Sequence, residues 1–189
     1  MSKLTEASPA DRHRTTAADF TRLIEGTADW SAQTPVPEWR AGDVVDHLTS
    51  WLPGLMATCG IELPAATGDR AADFSAQTEA VQALLDDPEA AAAPVTIGSM
   101  GAQPLSVVID NFYTTDVFLH GWDLARATGQ EIELDTDSAN SMHAGMSALG
   151  PALQASGQFG PSVPVPADDT PQRRLLGLIG RDPDWQPAS

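Results

Sequence analysis

Cysteine and lysine are almost missing from this 189-residue chain, and so is any long apolar run. The single cysteine, Cys59, excludes an internal disulfide, and the thiolate-rich ligand sets of structural zinc modules are excluded with it. Any metal must therefore be held by histidine and carboxylate. Lys3 is the one lysine, and ten basic residues face 26 acidic ones, a net charge of −16. Such a surface repels phosphate backbones and anionic membranes, so nucleic acid is not an expected partner. No segment approaches the ~18 consecutive apolar residues of a membrane span. The opening MSKLTEASPADRHRTT also lacks the apolar core of a secretory signal. The expectation is a soluble, cytoplasmic protein without a membrane partner. With 42% hydrophobic residues and no internal repeat, the chain should build one core, a single domain over residues 1–189.

What is present is organised around Asp110 to Gly129, DNFYTTDVFLHGWDLARATG, a stretch with no proline. At about 100° per residue, Ile109, Phe112, Tyr113, Asp116, His120, Asp123 and Ala127 share one arc. Val108, Val117, Phe118, Leu119, Trp122 and Leu124 fill most other directions, so the helix is apolar nearly all round and expected to be buried. Its two carboxylates and its imidazole then need partners, because an unpaired buried charge is very costly.

The flanking segments read as further helices. Ser8-Pro9-Ala10-Asp11 is a helix start, with the apolar beat running to about residue 31 and Thr34-Pro35-Val36-Pro37 ending it. A second helix is expected from about Ala41 to Cys59, with Val44, Leu48, Trp51 and Leu55 as its stripe and His47 on the stripe's edge. Phe74, Thr78, Val81 and Leu85 define a third helix that ends before Pro88. Val95-Thr96-Ile97 suggests a short extended hairpin. Gly129 is a natural C-cap, and Asp135 or Asp137 can cap a fifth helix through Met142, Met146 and Leu149 to about Leu153, with His143 on it as a partly buried or surface histidine. Val163-Pro164-Val165-Pro166 must be extended, and Thr170-Pro171 starts a short helix whose Leu175, Leu176, Leu178, Ile179 and Trp185 should dock back, a C-terminal arm over 157–189. Arg173, Arg174 and Arg181 read as salt-bridge formers to this acidic chain rather than as an anion site.

Asp116 and His120 stand four apart, on adjacent helical turns, so both can reach one ion, and His47 is the natural third ligand. Two imidazoles and a carboxylate suit several divalent metals. Spacing alone favours the blander readings, an Asp–His hydrogen-bonded pair in a core and a hydrogen-bonded core histidine at position 47.

A resemblance separates these readings. Trp39 to His47 on an early helix, then Asp116-x3-His120-Gly121-Trp122-Asp123-Leu124-Ala125, then the FGPSVPVP and LLGLIGRDP tail, resemble the DinB-like metal-binding superfamily. Within it, the chain is similar to the branch related to the N-terminal domain of mycothiol-dependent maleylpyruvate isomerase. The resemblance implies an all-α, up-down-down-up four-helix bundle with a divalent metal held by His47, Asp116 and His120, zinc or nickel being favoured. Asp123 falls in its HxWD segment and is placed as an orienting acceptor behind His120. The implied chemistry is that of a metal-dependent transferase or isomerase using a small thiol such as mycothiol against an electrophilic substrate. Its alternatives are a non-catalytic metal-binding module and a helical interaction module, and a homodimer stays open. Those isomerases carry a further C-terminal domain where this chain has a short arm, and DinB-like relatives often have histidine in place of Asp116, so the isomerase reaction itself is not implied.

Overall fold

The computed structural model describes residues 3–98 and 100–187, and they are mostly helical. After a 3-10 turn at Leu4–Glu6, α1 runs Pro9–Glu25 and α2 Ala41–Ala57. Then come α3 over Arg70–Asp86 and the short α4 over Pro88–Ala92. A two-residue antiparallel ladder pairs β1, Pro94–Val95, with β2, Gln103–Pro104. The central helical run comprises α5 (Leu105–Val108), a π-helical segment (Ile109–Thr114) and α6 (Thr115–Thr128). α7 (Thr136–Ala148), α8 (Pro151–Ala155) and α9 (Pro171–Leu178) complete the chain. Among the described residues no helix is long and apolar enough to cross a membrane.

The caps are local and chemical. Ser8 Oγ accepts from Asp11 N with Pro9 at the first helical position, and Asp69, Asp135 and Thr170 cap α3, α7 and α9 in the same way. Gly129 closes α6 in the left-handed region at φ 68°.

Several boundaries differ from the sequence expectation. α1 stops at Gly26 rather than near residue 31, and Trp30 instead packs from the following loop, where the Arg70 guanidinium lies over its ring. The central run starts five residues before Asp110, at Leu105. The fifth helix breaks at Gly150, whose φ of 54° ends α7 and lets Pro151 begin α8, and Leu149, expected to face inward, is 56% exposed. The arm expected over 157–189 is described to residue 187, and α9 within it docks as expected.

The core lies on both sides of the central run. On one side α1 packs against α3 and α6, and α2 against α3 and α6, around Phe20, Phe74, Leu48, Leu52, Met56, Ile109, Tyr113 and Leu124. Gln77 Nε2 donates to Leu48 O at 2.7 Å and to Tyr113 Oη at 2.8 Å, so one amide ties α2, α3 and the π segment together inside this cluster. On the other side Phe118, Leu119 and Trp122 of α6 meet Leu175, Leu176 and Ile179 of the arm, with Leu134 and Ala139 between. That double duty is why α6 is apolar nearly all round.

Docking of the arm relies on two glycines. A Cβ on Gly177 would come within 2.4 Å of Val165 Cγ2 and 2.7 Å of Val163 O, and Gly180 combines φ +82° with Gly160 backbone 2.7 Å from where its Cβ would sit. Gly180→Ala is therefore expected to destabilise the protein by about 2 kcal/mol or more, the sum of a left-handed penalty and a backbone shift, and so to lower Tm by about 4–8 °C. Trypsin should then cut sooner at Arg173 and Arg174. A variant with wild-type denaturation and cleavage would disprove this account of the arm.

Candidate metal centre

Four helical turns and one loop build the centre. His47 projects from α2 and Asp116 and His120 from α6, two strands of chain 69 residues apart between His47 and Asp116. One ligand atom from each of the three residues lies within 4.8 Å of the other two. His47 Nε2 is 3.0 Å from Asp116 Oδ2, and His120 Nε2 is 3.4 Å from Asp116 Oδ1. The cluster is graded in depth, the His120 side chain being 7% exposed against 32% for His47 and 25% for Asp116. An approach from solvent therefore meets His47 and Asp116 first.

Aromatic rings frame it. Trp39 lies nearly parallel to His120, ring centroids 5.4 Å apart at 18°, and tilts over His47 at 4.9 Å. Trp51, one turn after His47, donates its indole N–H to Asp116 Oδ2 at 3.0 Å. The loop that presents Trp39 is pinned at its carbonyl, which accepts from Thr34 N, Thr34 Oγ1 and Gln33 Nε2. Glu38, just before it, holds φ at 67°, the one non-glycine among the described residues in the left-handed region. Such a residue is strained and persists only where its surroundings fix it.

Behind His120 the arrangement is fully buried. His120 Nδ1 is 2.9 Å from Asp123 Oδ2, and Arg181 grips the same carboxylate from the arm, Nε to Oδ1 at 3.2 Å and Nη2 to Oδ2 at 2.9 Å. Burial alone would push the Asp123 carboxyl up, but the His120 hydrogen bond and the Arg181 charge outweigh it and hold the group below the ordinary carboxylate range. Asp123 is thus an ionised acceptor, and its partners assign the Nδ1 hydrogen to His120.

That assignment decides what the site can accept. With Nδ1 directed at Asp123, His120 turns Nε2 toward Asp116, 3.4 Å from Oδ1. Either a proton or a metal ion between the two atoms satisfies both. Two imidazole nitrogens and a carboxylate oxygen, all within 4.8 Å of one another, are a donor set that suits a divalent ion. The contacts also satisfy a hydrogen-bonded string without one, so the fit is a property of the donor set.

The structure brings together His47, Asp116 and His120 and places Asp123 behind His120. His143 is half-buried on α7, where burial and then the Arg174 charge push its imidazole down, and it contributes nothing to the cluster. Cys59 sits past the C-terminal end of α2 beside Thr58. Arg173 pairs with Asp169 and Asp184, and Arg174 donates to Asn140. Sequence reasoning missed the role of Trp51, and it read Arg181 as a salt-bridge former without naming Asp123 as its partner. The signal for Arg181 was Asp123 itself, a carboxylate on a buried face that needed a cation, with Arg181 the arginine embedded in the apolar LLGLIGR run. A cleft of about 660 Å³ lies elsewhere, between the end of α6 and the arm, and holds none of the three candidate ligands.

Fold and site together define a mostly helical protein with a part-buried His–Asp–His cluster. The chain belongs to the family of two Mycobacterium tuberculosis proteins, uncharacterized protein Rv0738 of strain H37Rv and uncharacterized protein MT0763 of strain CDC 1551. Each is 32% identical over 152 residues, spanning 78% of this chain and 82% of the relative. No family model matches the chain. No solved structure matches it.

The Asp123 pair predicts an acid limb. A carboxyl depressed in the folded state contributes stability above its unfolded pKa of about 3.9, and that contribution is lost as pH falls below it toward the folded value. Asp123→Asn should cost about 3 kcal/mol at pH 7, because it strands Arg181, and should flatten the decline below about pH 4. Urea titrations at pH 7 and pH 3 measure both. An unchanged acid slope would remove Asp123 from this role.

Proposed function

We propose that this chain is a DinB-like divalent-metal-binding protein, an up-down-down-up bundle of α1, α2, α3 and α6, with His47, Asp116 and His120 as ligands and zinc or nickel as the ion. The observation that carries the reading is the convergence of His47, Asp116 and His120, each with a ligand atom within 4.8 Å of the other two. The ion, when bound, supplies the positive charge that favours a small thiol as thiolate at an open position.

The chain's own residues supply the rest. Asp116 is held by the Trp51 indole, which leaves its other oxygen toward His120. Asp123 keeps the proton on His120 Nδ1, so Nε2 stays available. Trp39 covers the His120 face and excludes water there, which directs a ligand to the His47 and Asp116 side. Two neutral imidazoles and one carboxylate leave a dication with a net charge of about +1. The thiol comes from outside the chain, mycothiol or a relative, because Cys59 lies beyond the end of α2. The reaction class would then be transfer or isomerisation of an electrophile with a small thiol as nucleophile.

Protein purified without a histidine tag should carry close to one equivalent of zinc or nickel. His47→Ala, Asp116→Ala and His120→Ala should each weaken binding more than about 100-fold, beyond the effect of losing an outer-shell partner, while His143→Ala binds normally. Loss of metal in His143→Ala with retention in His47→Ala would refute the ligand set. Cobalt-loaded protein should give a thiolate charge-transfer band with millimolar mycothiol, bacillithiol or glutathione, unchanged in Cys59→Ala and absent in His120→Ala. Metal without such a band would instead make the chain a non-catalytic metal module, and no metal at all a helical interaction domain.

A further inference from the structure

The candidate ligands stand on α2 and α6, yet the group that fixes the most buried of them comes from neither. Asp123 has two partners, His120 on its own helix and Arg181, 58 residues away on the arm. The guanidinium is aimed by the arm's own backbone. Arg181 Nη1 donates to Ile179 O at 3.2 Å, and Arg181 N donates to Leu176 O at 2.9 Å. The arm in turn is seated by Leu175, Leu176 and Ile179 against α6, by Gln172 Oε1 accepting from Leu134 N, and by Arg126 Nη2 donating to Trp185 O. Arg181 is itself buried, 8% exposed, and so is the carboxylate it pairs with, Asp123 at 1%.

We propose that the C-terminal arm is a working part of the metal centre, with Arg181 as a positioning residue, so that arm docking and ion binding at His47, Asp116 and His120 reinforce each other. The inference rests on the metal-binding reading above. With the arm docked, Arg181 orients Asp123, Asp123 holds His120 Nδ1–H, and the Nε2 lone pair points at the site. With the arm released, Asp123 loses its forked partner and takes water instead, and the His120 ring loses its fixed orientation. Holding a ligand ring in one orientation is what outer-shell partners contribute to metal affinity. Linkage then requires reciprocity: the factor by which docking raises ion affinity equals the factor by which the ion raises docking. An Arg181 that served only as a core ion pair would stabilise the fold and leave the arm indifferent to the ion.

The test uses the full chain with zinc as the probe. Hydrogen exchange of the Ile179 and Arg181 amides, both bonded within the arm, is followed with and without zinc in the wild type. Zinc affinity is measured by chelator competition in wild type, Arg181→Met and Arg181→Lys. Zinc should slow exchange in the wild-type arm several-fold. Arg181→Met should bind zinc about tenfold more weakly, the lower end of outer-shell effects, with Arg181→Lys between, and its arm should no longer respond to zinc. If the wild type takes up zinc while arm exchange is unchanged, or if Arg181→Met binds with wild-type affinity, the coupling is overturned and the metal reading stands. A wild type that takes up no zinc fails the metal reading and the coupling together. If Arg181→Met does not fold, the wild-type exchange measurement alone decides.

Discussion

A carboxylate 1% exposed, Asp123, is the constraint on which the rest of this structure turns. Ionised and out of water, it must be surrounded by donors, and the two it has come from opposite directions in the chain. His120 supplies one from the same helix. Arg181 supplies a fork from the far end, which obliges the arm to lie along α6 and so creates the second apolar cluster of Trp122, Leu175, Leu176 and Ile179. The cost of burying one charge is offset by a geometry that also fixes an imidazole at the centre.

A comparable ion pair sets the other end of the central run. Arg12 of α1 holds Asp110 through Nε at 2.9 Å and Nη2 at 2.6 Å, where the π-helical segment begins, and Thr115 Oγ1 donates to Asp110 O to close it. Such segments insert extra backbone into a helix and shift the facing of everything after it. Here the shift falls between Ile109, which packs in the core, and Asp116, which meets His47. Within α6 the ordinary period resumes, so Asp116, His120 and Asp123 keep their four- and three-residue relations.

Those relations explain what could be read from the residues. Caps at Ser8, Asp135, Thr170 and Gly129 depend on one side chain and its nearest amides, and the ligand candidates on α6 depend on one helical period, so each was legible locally. His47 could be named as a third ligand, but nothing in the spacing joins residues 47 and 116, and only the family resemblance favoured that set over separate core pairs. The π segment has no mark in IDNFYT, since ordinary helix formers adopt it under pressure from neighbours. The bridge made by Gln77, the indole bond of Trp51 and the Arg181–Asp123 fork are tertiary and left no periodic trace. The end of α1 at Gly26 was overlooked because Trp30 continued the apolar beat while sitting off the helix.

The loop that carries Trp39 is a separate matter from the helices. Pro35 and Pro37 narrow the conformations open to it before folding, and the strained Glu38 backbone then sets the indole against both imidazoles. The candidate ligands and the lining over them are thus encoded in different stretches, one helical, the other short and exposed at Pro37 and Glu38. Evolution or design can exchange residues 34–39, and with them the shape of the mouth, while the helices that hold His47, Asp116 and His120 stay as they are. Relatives that share the helices and differ in this loop would share a centre and differ in what reaches it.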